Sequence, residues 1–144
     1  MSDAAGLIVL AGRILFIINF GVVAGVRGHL AHGKDSKDYA RSTGFALPYL
    51  AGWPTGVWLV AGSLSIALGI WPDVGALMLG AFVVPAAWYF HRFWEVEDPM
   101  QRLMSSLLFY RNLSFLGASL VMFGAFVALG DGLRYSITGP LFDF

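Results

Sequence analysis

The side chains with chemistry to offer stand where apolar stretches end. His91 and Glu95 are four residues apart, so on a continuing helix they share a face. The carboxylate would then hold one imidazole nitrogen and fix the tautomer. Arg111 and Asn112 precede a later apolar run, LSFLGASLVMFGAFVALG, and Arg111 would neutralise Glu95 from that neighbouring helix. With His29 and Arg92 these residues form one candidate polar cluster at a membrane surface. Its chemistry would be recognition of a partly polar, redox-active ring such as a quinone. His91 and Arg111 would donate to the ring carbonyls, Trp88, Trp94 and Tyr110 would line it, and Asn112 would stand beside them. The ring would carry the electrons and the protein would position it. Against this stands simple anchoring, because His, Arg and Trp at helix ends are ordinary residues of the headgroup region.

Arg13 is the second candidate. It lies roughly 12 Å along its helix from Ala5, by the rise of an α-helix. An unpaired charge at that depth in lipid costs at least about 3 kcal/mol. It is either a ligand or proton-path contact, or a pin between helices. Ser63 falls at a similar depth, with Asp73 and Asp131 toward the same membrane face. His29 and His32 have i, i+3 spacing. With His91 they suggest a three-histidine metal site, or a pair of axial haem ligands. No supporting signature accompanies them, and histidines in a solvated loop are the simpler account, so no metal site is expected. Nothing resembles a phosphate loop, a nucleophile elbow or a zinc-protease helix.

The elements that must position these residues are membrane helices. Val74–Phe90 carries no charge. At about 1.5 Å per residue it is roughly 25 Å long, near the thickness of a bilayer core. The 144 residues are 58% hydrophobic and only 12% charged, with a mean hydropathy of +0.71. So much apolar surface cannot be buried in one small core, and lipid must cover the rest. The formal net charge is zero, which gives no field for nucleic acid. The absence of cysteine excludes thiolate catalysis and disulfides within this chain. The start, MSDAAG, lacks the positive region of a cleaved signal peptide.

Spans are expected at about 4–26, 49–71, 74–94 and 108–130, with 131–144 as an extended tail. Gly21 and Gly25, and Gly52 and Gly56, are small residues four apart that permit close helix contact. DSKDYARSTG reads as a short interfacial helix between the first two spans, capped by Asp35 or Ser36 and ended by Gly44. Trp71-Pro72-Asp73 is a tight turn that makes its flanking helices antiparallel neighbours. Pro85 frees the Ala81 carbonyl and kinks the third span. Asp98-Pro99 reads as a cap followed by the first residue of the last helix. The expected fold is an all-α membrane protein, an antiparallel four-transmembrane-helix bundle. Lys and Arg concentrate in the two polar loops, 27–48 and 95–102. The positive-inside rule therefore places these loops in the cytoplasm and both termini outside the inner (plasma) membrane.

The order and spacing of several segments resemble the DoxX family of small membrane proteins. They are AGRILFIINFGVVAGVRG, RSTGFALP, GSLSIALGIWPDVGALML, FHRFW followed by EDP, and RNLSFLG, spanning about Ala11 to Leu129. Arg13, Arg27, His91, Trp94, Asp98, Pro99 and Asn112 match the family's polar pattern. The resemblance implies a four-helix membrane fold and a link to electron transfer. Relatives include the membrane subunit of a thiosulfate:quinone oxidoreductase and a membrane protein that joins a superoxide dismutase to a sulfurtransferase. Some distant ones look like assembly factors for other membrane proteins.

The expectation is an integral subunit associated with membrane redox machinery, acting as an accessory or anchoring component of a larger complex. Its partners would be the lipid bilayer and larger membrane subunits or redox enzymes, with the aromatic tail SITGPLFDF lying on a neighbour. The alternatives are a quinone-binding oxidoreductase component and an assembly factor. Transport past Arg13 ranks last, because four short helices leave little room for a pathway. The candidate ligand contacts are His91, Arg111, Trp94, Asn112 and Arg13. A quinone is the one cofactor considered, and no catalytic set is assigned.

Overall fold

The computed structural model describes residues 1–143; its regular elements are all helical, and the chain from 133 on is irregular. Helix α1 runs Asp3–Ile17 and continues unbroken as a wider π-wound segment, Ile18–Ala31. A short helix α2, Gly33–Ser42, and a 3-10 turn, Pro48–Ala51, lead into α3, Trp53–Leu68. After a tight turn come α4, Pro72–Phe90, a 3-10 turn at Phe93–Glu95, and the long α5, Pro99–Leu129. Among the described residues, three helical stretches are long and apolar enough to cross a membrane: Asp3–Ala31, Pro72–Glu95 and Pro99–Gly132. The 16-residue α3 is apolar but shorter.

Local chemistry explains these boundaries. The Ser2 hydroxyl accepts from the Ala5 amide and caps α1. The Asp98 carboxylate accepts from the Gln101 amide at 2.8 Å, and Pro99 follows where a missing N–H costs nothing. Helix α2 ends in a Schellman arrangement. Gly44 has φ +72°, and the Phe45 amide reaches back to the Ala40 carbonyl at 3.0 Å. The start of α2 differs from expectation. It begins at Gly33 without a side-chain cap, and the Ser36 hydroxyl instead donates to the Gly28 carbonyl of the preceding helix.

Helix α3 lies between α1 and α4, antiparallel to both. Arg13, Gly21 and Gly25 of α1 meet Ile66, Ser63 and Leu59 in reverse order. Gly21 allows a close approach: a Cβ there would come within 2.9 Å of the Ser63 Cβ. The Trp58 indole donates to the Met78 carbonyl at 2.8 Å and ties α3 to α4. Helix α5 packs along α4 with Ser119 against Gly80. The buried core runs through Phe20, Leu59, Ile66, Leu79, Val83 and Phe126. Phe16, Phe20, Phe82 and Phe115 fill its upper part, with Phe20 and Phe115 centroids 5.2 Å apart.

One end of this bundle is locked. Arg13 is 1% exposed. Its Nε donates to the Ile66 carbonyl at 2.7 Å and its Nη2 to Ala67 at 2.9 Å, where the last turn of α3 leaves carbonyls without helical partners. Its Nη1 donates to Tyr135 at 3.1 Å and Arg134 at 3.4 Å in the tail. Asp73, fully buried at the start of α4, accepts from the Leu141 and Phe142 amides at 2.8–3.0 Å. The Trp71 amide donates to the Gly139 carbonyl, while Ile137, Thr138 and Gly139 donate to Leu68 and Gly69. Arg134 closes the ring with Asp3. The tail, expected to lie on a neighbour, lies against its own bundle and leaves Ile137 and Leu141 exposed. Its backbone is stitched onto its own bundle, because the α3–α4 turn offers amides and carbonyls that need partners. Phe144, the last residue of SITGPLFDF, lies outside the described residues.

Replacing Arg13 by Met keeps the apolar stem and removes every donor. Unfolding in detergent should then be easier by about 3 kcal/mol, the scale of several buried charge-assisted hydrogen bonds lost together. Arg13→Lys should recover only part of this. A melting midpoint unchanged in Arg13→Met would show that these contacts do not hold the end closed.

Candidate functional site

The opposite end, where the polar loops gather, is open. A cavity of about 560 Å³ lies between the end of α1, helix α2, the start of α3 and the second half of α4. That volume is typical of small-molecule sites. Its walls are mostly apolar and aromatic, with Phe45, Trp58, Phe82 and Phe90 among them. Pro85 and Ala81 both stand in the wall. Pro85 has no N–H to give the Ala81 carbonyl, so the expected interruption of the α4 ladder coincides with the cavity.

Two imidazoles line the cavity, His29 from α1 and His91 from just beyond α4. The position of His29 differs from expectation. It was expected in a solvated loop; the π-wound continuation of α1 carries it on a helix, half-buried. Its Nδ1 lies 2.5 Å from the Ala51 carbonyl, and a carbonyl only accepts. Nδ1 therefore bears the proton, which leaves Nε2 as an acceptor in the neutral ring. The His29 ring meets Phe82 edge-on at 6.0 Å. Its sequence neighbour His32 turns elsewhere and contacts the Arg27 carbonyl. Among the described residues no group of three metal-ligating side chains converges.

Helix α2 covers one side of the cavity. The Tyr39 ring stacks on Phe90 at 5.5 Å, and its hydroxyl donates to the Phe90 carbonyl at 3.3 Å. Phe45, just past the Gly44 stop, packs on Tyr89 and Phe90. The other face of α2 is solvated. There Asp38 accepts from Lys34 at 3.0 Å and Arg41 at 2.8 Å, and the Lys34 bond foremost holds its carboxyl below the usual carboxylate range. Helix α2 is thus amphipathic and held by aromatic contacts at one edge.

The remaining candidates are distributed as follows. Of the five proposed ligand contacts, His91 lines the cavity, and Trp94, Arg111, Asn112 and Arg13 do not. His91 and Glu95 do not pair. Helix α4 stops at Phe90, and Glu95 meets Arg92 at 3.4 Å instead. The break follows from the run of bulky rings and from the Arg92 side chain, which folds back to the Trp88 carbonyl. The Arg111 guanidinium sits over Phe115 at 5.9 Å. Asn112 is buried, and its Nδ2 finds no partner among the described residues. Trp94 joins Trp88, Phe93, Phe109 and Tyr110 in a half-exposed ring cluster. The sequence reading missed Tyr39, Thr55 and Trp58 as wall residues. Beside the two histidines, the legible signal was Pro85, which stands in the wall.

A family model described as DoxX matches residues 8–92, more than half of the chain. That interval contains every residue of the cavity wall. No curated protein and no solved structure matches the chain.

Tyr39→Ala should free α2 by about 1 kcal/mol, the scale of one aromatic pair plus a weak hydrogen bond. Amide exchange should quicken within Gly33–Ser42 and stay unchanged in α3. Equal protection in both proteins would mean that Tyr39 does not hold α2 against the cavity.

Proposed function

We propose, since this chain belongs to the DoxX family of membrane proteins, that it is an accessory membrane subunit of redox machinery whose own task is to hold an oxygen-bearing aromatic ring of the quinone class. The observation that carries this reading is the cavity between His29 and His91. Its aromatic walls suit a flat ring. Its imidazoles meet the ring oxygens, and its position at a bundle end suits entry from the membrane surface. A ring of this class would supply the redox couple. The chain's own side chains bind it, orient it and exclude water, with Phe82 and Phe90 against its faces and His91 at a polar edge.

In this reading α3 is a fourth crossing. About 24 Å of helix, extended by the Pro48–Ala51 turn, is carried at bundle depth between two longer helices. The lysine- and arginine-rich loops then face the cytoplasm, and the cavity opens toward that side of the plasma membrane. A docking role is favoured by a separate feature, the half-exposed cluster of Trp88, Trp94, Phe109 and Tyr110 beside the Arg92–Glu95 pair. Aromatic rings with an adjacent charge are common at protein interfaces, and this patch can seat a larger subunit while the cavity holds its ring.

Protein purified from its native membrane should carry quinone or quinol, detected by mass spectrometry after solvent extraction. His91→Ala should lower that content about tenfold, the worth of one good hydrogen bond in a dry site. Wild-type content persisting in the variant, or wild-type protein devoid of any such ring, would end this reading.

A further inference from the structure

The hydrogen-bonding polarity of the cavity is lopsided. Consider its side-chain donors in turn. The His29 Nδ1–H is given to Ala51. The Ser36 hydroxyl donates to Gly28 at 3.1 Å, Tyr39 to Phe90 at 3.3 Å and Thr55 to Leu50 at 2.6 Å. The Trp58 indole donates to Met78 at 2.8 Å. Among the described residues, each side-chain donor in the wall is spent on a backbone carbonyl, His91 alone excepted. Acceptors remain in excess: His29 Nε2, the lone pairs of the three hydroxyl oxygens, and the Ala81 carbonyl that Pro85 cannot serve. The wall positions Pro54 and Pro85 have no backbone N–H to add.

We infer that the cavity selects a neutral aromatic ligand that donates hydrogen bonds, a phenol or hydroquinone, over the same ring bearing only carbonyl or ether oxygens. The inference rests on the ring-binding reading above and sharpens it to one chemical form. A carbonyl-only ring finds a single available side-chain donor, His91, and sets its other oxygen against acceptors. A hydroxylated ring satisfies an acceptor at one end and His91, which takes either role, at the other. An ammonium donor would match the acceptors too, but bringing its charge into apolar walls costs more than the bonds return. Within a quinone couple the reduced form is therefore the one held.

The test uses one ring with and without the donor. 2-Naphthol and 2-methoxynaphthalene are titrated by calorimetry into the purified full chain in detergent, with empty micelles subtracted. Naphthol should bind about tenfold tighter, the worth of one hydrogen bond donated to an otherwise unpaired acceptor. His29→Phe should remove most of that preference. Pro85→Ala, whose restored N–H can take the Ala81 carbonyl, should reduce it while leaving the His29 contact to Ala51 in place. The ether binding as well as naphthol to the wild type would overturn this inference and leave the cavity as a ring site. Neither compound binding would remove the ring-site reading itself, and this inference with it.

Discussion

The architecture depends on the placement of one charge. An arginine inside an apolar bundle must be solvated by something other than water. Here the solvent is the end of a helix. The last carbonyls of α3 carry the negative end of the helix dipole, and Arg13 covers Ile66 and Ala67 with two of its nitrogens. The third reaches the tail backbone. A single guanidinium thus joins the first helix, the end of α3 and the C-terminal strap. Asp73 does the complementary work, taking tail amides at the positive start of α4. The two buried ionic groups do not face each other; each is met by backbone dipoles of its opposite sign.

Locking one end leaves the other free to differ. At the polar-loop end a cavity lies beside Pro85, and the tail, bonded at the other end, does not fill it. The cavity's small polar residues turn their protons back onto carbonyls of their own chain, which removes the cost of leaving donors unpaired in an apolar wall. What remains is a cavity with rings on its faces and acceptors at its rim, covered at one side by an amphipathic helix. The rings continue inward: His29 contacts Phe82, Phe82 meets Phe20, Phe20 meets Phe115, and Arg111 sits over Phe115. The cavity and the α5 arginine are therefore parts of one packed arrangement, although Arg111 forms none of its wall.

Residues that announce themselves by type and local spacing were legible in sequence. Long uncharged runs at Val74–Phe90 and 113–130 show helices of membrane length. Asp98-Pro99, Gly44 and the Trp71–Asp73 turn mark ends through local rules of capping and dihedral preference, and these operate within a few residues. Arg13 could be recognised as a buried charge needing partners. Its partners could not, because carbonyls at 66, 67, 134 and 135 are invisible to a pattern search: every residue has one.

Pairings over long distances, and the exact windings that create them, belonged to the tertiary structure. The His91–Glu95 match assumed that α4 would continue, and it stops at Phe90. His29 was assigned to a loop because Arg27-Gly28 looks like a terminus, whereas wider winding carries the helix to Ala31 and turns that ring inward. The composition determined that the chain is helical and lives in lipid, since burying so much hydrocarbon allows little else. Packing alone decided which polar atoms would be spent on backbone and which left facing a cavity, because that depends on where helices far apart in sequence come to rest against each other.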